Sequence, residues 1–473
     1  MAESRAPGPD AAAPAPAGTA EASPRPISAE TVSANPAPPV PASIAPVATP
    51  LLDARLGAAA ARFGTPSYVY CTDLAGERLA DLRAHLGRWF AISFAVKSNP
   101  NPALLDWMRD RLDFLDISSG GELALSRQAG WDPARISFTG PAKQEPELRA
   151  AIETGLGELV LESLREAELA NAIAARTGRV QPVLVRIAPA RVPKGFGDQM
   201  AGRPSPFGID VEDAAEILPR IARLPHLRII GLHIYSGTQC LRPDAICENW
   251  RIFMQVFSDI CTAQNLRPEK LIFGAGLGIP YHPGDATLDL GAIAAAIGPE
   301  LDTFRADPRF VGTRLVLELG RYLIGPAGWF VTRVVSVKQS RGTRIAICDG
   351  GMNANLAASG NFGMVLRRNY LIHRIGGDED GARPIEKQDI SGPLCTSIDK
   401  LGGGVVLPRL EAGDLIAIHA CGAYGPSASP LYFIGHPLPR EVLMTGGQLR
   451  DITRIGEDRP HRGTDPTRTD GAR

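Results

Sequence analysis

The sequence has almost no excess of charge of either sign: 50 Lys and Arg residues stand against 51 Asp and Glu residues, a formal net charge of -1. Proteins that bind nucleic acid or an anionic membrane surface usually carry a strongly basic face, so this balance argues against both partners. No run of apolar residues approaches the roughly 18 that a membrane-spanning helix needs. We therefore expect neither a nucleic-acid partner nor a membrane span.

Paired cysteines are also missing. The 7 cysteines are scattered along the chain, and no two of them form a CxxC motif. A zinc site is therefore not expected, and no cluster of His, Asp and Glu predicts another metal. An odd number of dispersed thiols is typical of a reducing compartment, so we expect a cytoplasmic protein.

The two ends of the chain lack the apolar periodicity of a folded domain. Residues 1–50 consist mostly of Pro, Ala, Ser and Thr, without the continuous apolar core of a secretory signal. We predict a disordered Pro/Ala-rich leader there and a disordered tail at 456–473. The 473-residue chain leaves a body long enough for two domains.

Between residues 90 and 325, short apolar runs alternate with helical stretches. This alternation predicts a (β/α)8 TIM barrel, and an open doubly wound sheet is the alternative fold. The eight runs that we interpret as strands are AISFAV, FLDIS, RISFTG, ELVLES, PVLVRIA, IIGLHIYSG, KLIFGAG and RLVLELG.

After residue 325 the pattern changes to strands separated by turns, as in AGDLIAIHACGAYG and REVLMTGG. We therefore predict a C-terminal, mainly β domain at 326–455. The N-terminal segment 51–89 contains the alternating stretch PSYVYC at 66–71, and we expect this strand to pair with the β domain.

In such a barrel the chemistry lies at the carboxyl ends of the strands. There the sequence places Lys97 after an apolar run, Glu318 in VLELG, and the glycine turn GAGLG at 274–278. A nucleophilic amine, backbone N–H groups that can hold a phosphate and a carboxylate that can face a pyridine nitrogen are the parts needed to bind pyridoxal 5'-phosphate. The simpler alternatives are a solvated loop lysine and a structural glycine turn.

Eight short markers extend this interpretation. FAVKSN, DISSGGEL, RPSPFGI, GAGLGIPY, ELGRYLIGPAG, CDGGMN, GPLCTSID and GAYG occur in this order. The sequence resembles the fold-type III pyridoxal-phosphate decarboxylases, the group of the diaminopimelate and ornithine decarboxylases. This resemblance implies an alanine-racemase-like barrel with a β domain, a carboxy-lyase activity and a homodimer with shared active sites.

The resemblance also implies roles for individual residues. Lys97 would hold the cofactor covalently, and Glu318 would face its pyridine nitrogen. The other cofactor contacts that it implies are Arg186, His233, Tyr235, Thr238, Gly274, Ala275, Gly276 and Tyr424. Arg321 matches an arginine that meets cofactor phosphate or substrate carboxylate in relatives.

A second set of implied roles belongs to the segment that the partner subunit inserts into the active site. Cys395, Thr396 and Asp399 lie in it, and we expect all three near the substrate. Cys395 is the candidate proton donor to the alpha carbon, and a buried structural thiol is the alternative.

The sequence departs from the family pattern at the ring that stacks on the cofactor. Relatives carry a histidine in HxGS or HIGS, whereas the matching residue here is Tyr235, with His233 two residues earlier. Either ring could cover the cofactor, so both remain candidates.

Three further departures concern the substrate. Thr396 replaces the acid that faces a distal ammonium in relatives, Pro206 replaces a lysine, and PLYFIGHP follows GAYG. These changes resemble the subgroup that contains the butirosin-pathway decarboxylase of a glutamyl group on a carrier protein and exosortase-associated decarboxylases. We expect release of carbon dioxide from the alpha carbon of an amino acid or aminoacyl-carrier substrate that lacks a distal ammonium.

Other activities remain possible at this point. The first alternative is a diaminopimelate decarboxylase that makes L-lysine. An amino-acid racemase of the same fold would usually pair the pyridine nitrogen with arginine, and Glu318 argues against that. A non-catalytic relative would usually have lost Lys97 or the Cys395 segment, and both are present.

Overall fold

The computed structural model describes residues 49–362, 367–376 and 383–454. The predicted leader, apart from its last two residues, and the predicted tail lie outside these residues. The helices are α1 Pro50–Phe63, α2 Thr72–Leu86, α3 Pro102–Arg109, α4 Gly120–Gln128, α5 Glu145–Thr154, α6 Leu164–Arg176, α7 Ala214–Ala222, α8 Pro243–Ala263, α9 Leu290–Ala306 and α10 Arg321–Ile324. None of these helices is both long and apolar enough to cross a bilayer.

The main strands fall into two sheets. The strands are β1 Ser67–Cys71, β2 Ala91–Ala95, β3 Phe114–Ile117, β4 Ile136–Phe138, β5 Glu158–Leu161, β6 Gln181–Ala188, β7 Leu227–Ile234, β8 Lys270–Gly274, β9 Arg314–Leu319, β10 Gly328–Ser340, β11 Thr343–Cys348, β12 Ile372–Arg374, β13 Ile385–Ser391, β14 Lys400–Pro408, β15 Leu415–Ile418, β16 Arg440–Thr445 and β17 Gln448–Asp451.

Strands β2 to β9 form a closed parallel barrel. Each strand pairs with the next in chain order, and β9 pairs with β2 to close the ring. This arrangement confirms the predicted (β/α)8 barrel and excludes the open doubly wound sheet. The eight apolar runs identified in the sequence are these eight strands.

A small apolar cluster separate from the main core is formed by barrel-strand residues. Its buried members are Phe114, Val160, Leu184, Ile230, Ile272 and Val316. Side chains two residues apart on a strand share a face, so Glu318 lies on the same face as Val316, at the carboxyl end. The barrel is therefore apolar in its middle and carries ionisable groups where its strands end.

The second sheet has the order β14–β13–β11–β10–β1–β16–β17, with β15 joining β10 to β12. Strand β1 is antiparallel to β10 and parallel to β16, so the N-terminal strand lies inside this sheet. Helix α1 packs beside it through a second buried cluster that includes Leu56, Val69, Trp329 and Val442. The C-terminal domain is mainly β, as predicted.

Candidate active site

Lys97 lies in a single 3-10 turn, Val96–Ser98, that follows β2. The Ser98 hydroxyl donates back to the Ala95 carbonyl at 2.8 Å, and Asn101 then caps α3 by accepting from Ala103 N. From the β domain, the Tyr424 amide donates to the Ser98 carbonyl at 2.8 Å. The lysine is therefore held between the barrel and the β domain, partly buried, and is not a solvated loop residue.

Two buried carboxylates act on Lys97. Asp116 is at the end of β3 and Glu318 is in β9, and each is 1% exposed. Burial alone would lower the pKa of the Lys97 ammonium, but the attraction of Asp116 and Glu318 outweighs it and raises this pKa. Burial and the repulsion of Glu318 also raise the pKa of Asp116. Lys97 and Asp116 therefore hold their protons to a higher pH than they would in water.

His233 supports Glu318 from inside the barrel. Its Nε2 lies 3.0 Å from Glu318 Oε2, and the imidazole is completely buried. Burial would raise the pKa of Glu318, but His233 and, more weakly, Lys97 lower it overall. Glu318 is therefore kept as a carboxylate in a site from which water is excluded.

Tyr235 is the aromatic ring beside the lysine. Lys97 Nζ lies 5.7 Å from the centroid of this ring. The ring also covers Gly274, because a Cβ atom added there would lie 2.5 Å from Tyr235 Cδ2. Of the two rings left open by the sequence, His233 is committed to Glu318, and Tyr235 flanks the amine.

The glycine turn after β8 packs so closely against its neighbours that it has no room for a side chain at Gly276. Gly276 has φ +69°, and a Cβ atom there would lie 2.5 Å from Phe196 Cε1. The Ala275 amide donates to the Glu318 carbonyl at 2.9 Å, whereas no hydrogen-bond partner for the Gly276 N–H is found in the described part of the chain. Thr238 lies beside this turn, in the two-residue strand Gly237–Thr238, which pairs with Asp198–Gln199.

Arg186 has a partner that the sequence analysis did not foresee. Its Nη1 donates to both oxygens of Glu162, at 2.9 and 3.2 Å, and both side chains are buried. Glu162 also accepts from the amides of Gly140 and Gly208. Burial would raise the pKa of Glu162, but these partners lower it. A direct contact of Arg186 with the cofactor stays a prediction.

Arg321 begins α10 and faces two tyrosines. Its Nη1 donates to Tyr281 Oη at 2.7 Å, and its guanidinium lies 4.8 Å from the centroid of the Tyr424 ring. Its Nε is buried, without a hydrogen-bond partner among the described residues. An arginine with unused donors at this end of the barrel is suited to an anionic group.

The segment 395–399 stands apart from these groups. Cys395 is exposed, and within the described residues no hydrogen bond or ion pair joins Cys395, Thr396 or Asp399 to Lys97 or its neighbours. Asp399 is buried and accepts from the amides of Met352 at 2.6 Å and Leu394 at 2.7 Å. Because these bonds tie the segment 394–399 to the backbone at Met352, they do not favour the predicted substrate contact of Asp399, which no observation tests.

The structure thus gathers most of the predicted residues at one end of the barrel. The gathered set is Lys97, Arg186, His233, Tyr235, Thr238, Gly274, Ala275, Gly276, Glu318, Arg321 and Tyr424. Sequence reasoning missed Asp116, Glu162 and Tyr281. Asp116 was within reach, because it ends a strand in the marker DISSGGEL just as Lys97 follows one.

These residues fit pyridoxal phosphate. In the described part of the chain, three buried polar atoms around the site have no partner: Asp116 Oδ2, His233 Nδ1 and Arg321 Nε. Buried polar atoms are normally paired, so such a group is typical of a site that receives a polar ligand. The bare turn at Gly274–Gly276 would hold the phosphate, Glu318 the pyridine nitrogen and Lys97 the aldehyde carbon.

Comparison with known proteins agrees with this fit. Residues 75–325 match the family model described as pyridoxal-dependent decarboxylase, pyridoxal binding domain. The chain is 35% identical to the L-glutamyl-[BtrI acyl-carrier protein] decarboxylase of Niallia circulans, over 85% of this chain and 94% of that protein. It is 30% identical to the diaminopimelate decarboxylase of Aquifex aeolicus, over 82% of this chain and 89% of that protein.

A solved structure shows the same architecture. The diaminopimelate decarboxylase of M. jannaschii in complex with L-lysine matches with a TM-score of 0.74 and 25% sequence identity. The match covers 83% of this chain and 90% of that one.

Proposed function

The chain belongs to the pyridoxal-dependent decarboxylase family, and we propose that its substrate is an amino acid without a distal ammonium, in particular a glutamyl group tethered to a carrier protein. The observation that carries this proposal is the absence of a free carboxylate in the described segment 395–399. Thr396 is uncharged, and both oxygens of Asp399 already accept backbone hydrogen bonds. The similarity to the glutamyl-carrier decarboxylase supports the same choice.

The energetic argument is one of charge. A distal ammonium buried without a carboxylate partner would lose several kcal/mol of solvation free energy, and the site has no ion pair that would offset this loss. A glutamyl group linked through its side-chain carboxyl presents no such charge and leaves its alpha-carboxylate free to depart. Replacement of an acid by Thr396 therefore removes the usual partner of the distal ammonium of a diamino acid. It does not weaken the binding of a glutamyl group, which has no such ammonium.

The residues divide the work of decarboxylation. Pyridoxal phosphate, when bound, supplies an electron sink for the pair left on the alpha carbon as carbon dioxide departs. We assign Lys97 the covalent hold on the cofactor, Glu318 with His233 the charge at the ring nitrogen, and the Gly274–Gly276 turn with Thr238 and Tyr424 the phosphate. Tyr235 would cover the ring, and Arg321 would meet phosphate or substrate carboxylate.

The proton donor requires a second copy of the chain. Cys395 is exposed, and no contact through the described residues links it to its own Lys97. Its neighbour Ile398 is apolar but 51% exposed. Exposed apolar side chains elsewhere in the β domain, such as Ile385 and Val406, are consistent with a surface that another copy covers. We propose a homodimer in which Cys395 of one subunit protonates the alpha carbon in the other. The boundaries 51–89, 90–325 and 326–455 and a cytoplasmic location stay part of the proposal.

The main alternative is a diaminopimelate decarboxylase, because relatives with that name are 30% identical to this chain. A racemase is less favoured, because the carboxylate Glu318, held ionised by His233, occupies the position where racemases of this fold use arginine. These alternatives make opposite demands on the substrate, so one assay separates them.

The test is carbon dioxide release by the cofactor-loaded protein. The substrates are meso-diaminopimelate, ornithine, lysine, arginine, free glutamate and glutamate joined through its side-chain carboxyl to pantetheine as a thioester. We expect release from the thioester only, with Lys97→Ala as the inactive control. Efficient release from diaminopimelate would refute the proposed substrate, and interconversion of enantiomers without carbon dioxide would favour a racemase.

A further inference from the structure

A cavity lies beside the turn that carries Lys97, because the residues that follow this lysine line it. Its volume is about 540 Å³, and its walls are the loop Ser98–Asn101, the segment Gly425–Phe433 without Ala428, and the side chains of Glu441 and Arg454. We call it the 98–101 cavity. Its lining residue Ser98 follows Lys97 in the chain and accepts a hydrogen bond from the Tyr424 amide, so the cavity adjoins the turn that carries Lys97.

The lining of this cavity is mostly neutral. Asn99 and Asn101 contribute amides, each of which donates to a backbone carbonyl, at Gly422 and Ile452 respectively. Its one carboxyl, Glu441, is 4% exposed, and burial raises its pKa. Hydroxyls and apolar groups from the segment 427–433 make up the remainder. A neutral chain of amides and short apolar links suits these walls better than a charged amino acid does.

The rim carries the apolar part of PLYFIGHP. Tyr432, Phe433 and Ile434 are 63%, 45% and 50% exposed, and they follow one another in the chain. Ile434 adopts φ +62°, a conformation that β-branched residues rarely take. Adjacent exposed aromatic residues beside a cavity are typical of a binding surface.

The opposite side of the rim carries one cation. Arg454 is exposed, and its positive charge favours the ionised form of the Glu441 carboxyl in the same cavity, although burial outweighs this effect on the pKa of Glu441. No hydrogen bond or ion pair of the Arg454 guanidinium within 4.0 Å is found among the described residues. An arginine with unused donors can bind a phosphate with two parallel hydrogen bonds. The cavity therefore offers a neutral interior, an aromatic edge and one phosphate ligand at its mouth.

We propose that the 98–101 cavity binds the phosphopantetheine arm by which a carrier protein presents the substrate, with Phe433 packed against the arm and Arg454 paired with its phosphate. This inference rests on the carrier-linked substrate proposed above and adds the place where the arm is held. The arm has the matching chemistry, because it is a flexible chain of two amides that ends in a phosphodiester. Its position would bring the thioester to Lys97 from the side of the Ser98–Asn101 loop.

The test measures binding of free 4'-phosphopantetheine to the cofactor-loaded protein by calorimetry. We expect Phe433→Ser to weaken the Kd at least about tenfold, which corresponds to about 1.4 kcal/mol. The matched control is Val335→Ser, because Val335 is 59% exposed on β10 and does not line the cavity. An absence of binding to the wild type, or equal binding to wild type and Phe433→Ser, would overturn the proposal.

A double-mutant cycle tests Arg454. Phosphopantetheine should bind Arg454→Ala about tenfold more weakly than wild type, whereas pantetheine, which lacks the phosphate, should bind both proteins equally. An equal loss for both ligands would contradict the pairing. If Phe433→Ser converts a dimer to a monomer in sedimentation, the rim is an interface between copies and the proposal is wrong.

The two proposals fail separately. Binding of phosphopantetheine without carbon dioxide release from the glutamyl thioester would refute the proposed substrate and leave the cavity as an arm site. Decarboxylation of the thioester without any binding of phosphopantetheine would keep the proposed function and refute the arm site.

Discussion

At the scale of single residues, the state of Lys97 is decided by its neighbours rather than by its own burial. The sequence suggested a nucleophilic amine at the end of an apolar run, or else a solvated loop lysine. The structure instead sets two carboxylates, Asp116 and Glu318, close enough to raise the pKa of Lys97 in spite of burial. Because its pKa is raised, Lys97 is largely protonated in the cofactor-free protein. Only the neutral amine attacks an aldehyde, so most of the lysine is in the unreactive form.

This arrangement predicts a pH dependence of cofactor capture. Below its pKa, the neutral fraction of an amine rises about tenfold for each pH unit. The rate at which cofactor-free protein regains its visible absorbance on addition of pyridoxal phosphate should therefore rise continuously from roughly pH 7 to pH 9.

The matched variants for this experiment differ in their distance from the lysine. Asp116→Asn removes the attraction of Asp116 for the Lys97 ammonium and should speed capture at neutral pH, whereas Asp106→Asn, on the exposed face of α3, should have no effect. A rate that is flat with pH, or equal for both variants, would contradict the assigned role of the carboxylates.

At the scale of elements, strand register brings the site together. Parallel pairing sets Gly274 beside Glu318 and Arg186 beside His233. Asp116 is paired with Ala95, two residues before Lys97. Each residue is near a strand end in the sequence. Only the closed barrel brings the carboxyl ends of β3, β6, β7, β8 and β9 to the same rim. Gly274, at the end of β8, then leaves room for Tyr235 to approach the backbone closely.

The close contact at Gly274 predicts the effect of adding one methyl group. Gly274→Ala should displace Tyr235, because the new Cβ would lie 2.5 Å from its Cδ2, 2.6 Å from its Cγ and 2.8 Å from its backbone Cα. We expect this overpacking to cost about 1–3 kcal/mol, partly as weaker cofactor binding. Titration of cofactor-free protein with pyridoxal phosphate measures the change in affinity.

Helix α1 supplies the control for this variant. Gly57→Ala meets nothing closer than 3.8 Å and lies inside the helix, so it should stabilise the fold slightly and leave cofactor affinity unchanged. Equal cofactor affinities for the Gly274→Ala protein and wild type would show that Tyr235 can move without consequence for the site.

At the scale of the whole molecule, the proposed roles of Lys97 and Cys395 require two copies of the chain for one active site. Lys97 and Cys395 lie in different domains, and no described contact joins them. If each active site takes its cysteine from the partner, two inactive variants can complete each other.

Mixed dimers test this arrangement. Lys97→Ala should abolish turnover, and Cys395→Ala should reduce it while the cofactor remains bound. Unfolding and refolding the two variants together should restore about a quarter of wild-type activity, because random pairing makes half of the molecules mixed and each mixed dimer has one intact site. Activity no higher than the sum of the separate variants would contradict shared sites.

The sequence by itself determined the architecture and the kind of chemistry. Eight apolar runs with intervening helical stretches predict a parallel α/β fold, because a strand buried on both faces must be continuously apolar, and their number favours a barrel over the open doubly wound sheet. Lys97, Glu318 and the glycine turn were visible because each follows or ends such a run. The family markers then supplied the cofactor and the class of reaction.

Only the tertiary structure decided which neighbours set the properties of these residues. His233 pairs with Glu318, Arg186 pairs with Glu162, and Asp399 accepts from the Met352 amide, and each of these contacts joins groups that are distant in sequence. The same holds for the 98–101 cavity, whose walls come from chain segments more than 300 residues apart. Charge, burial and shape act through space, so the pKa of Lys97 and the surroundings of its turn are fixed only when the barrel and the β domain close on each other.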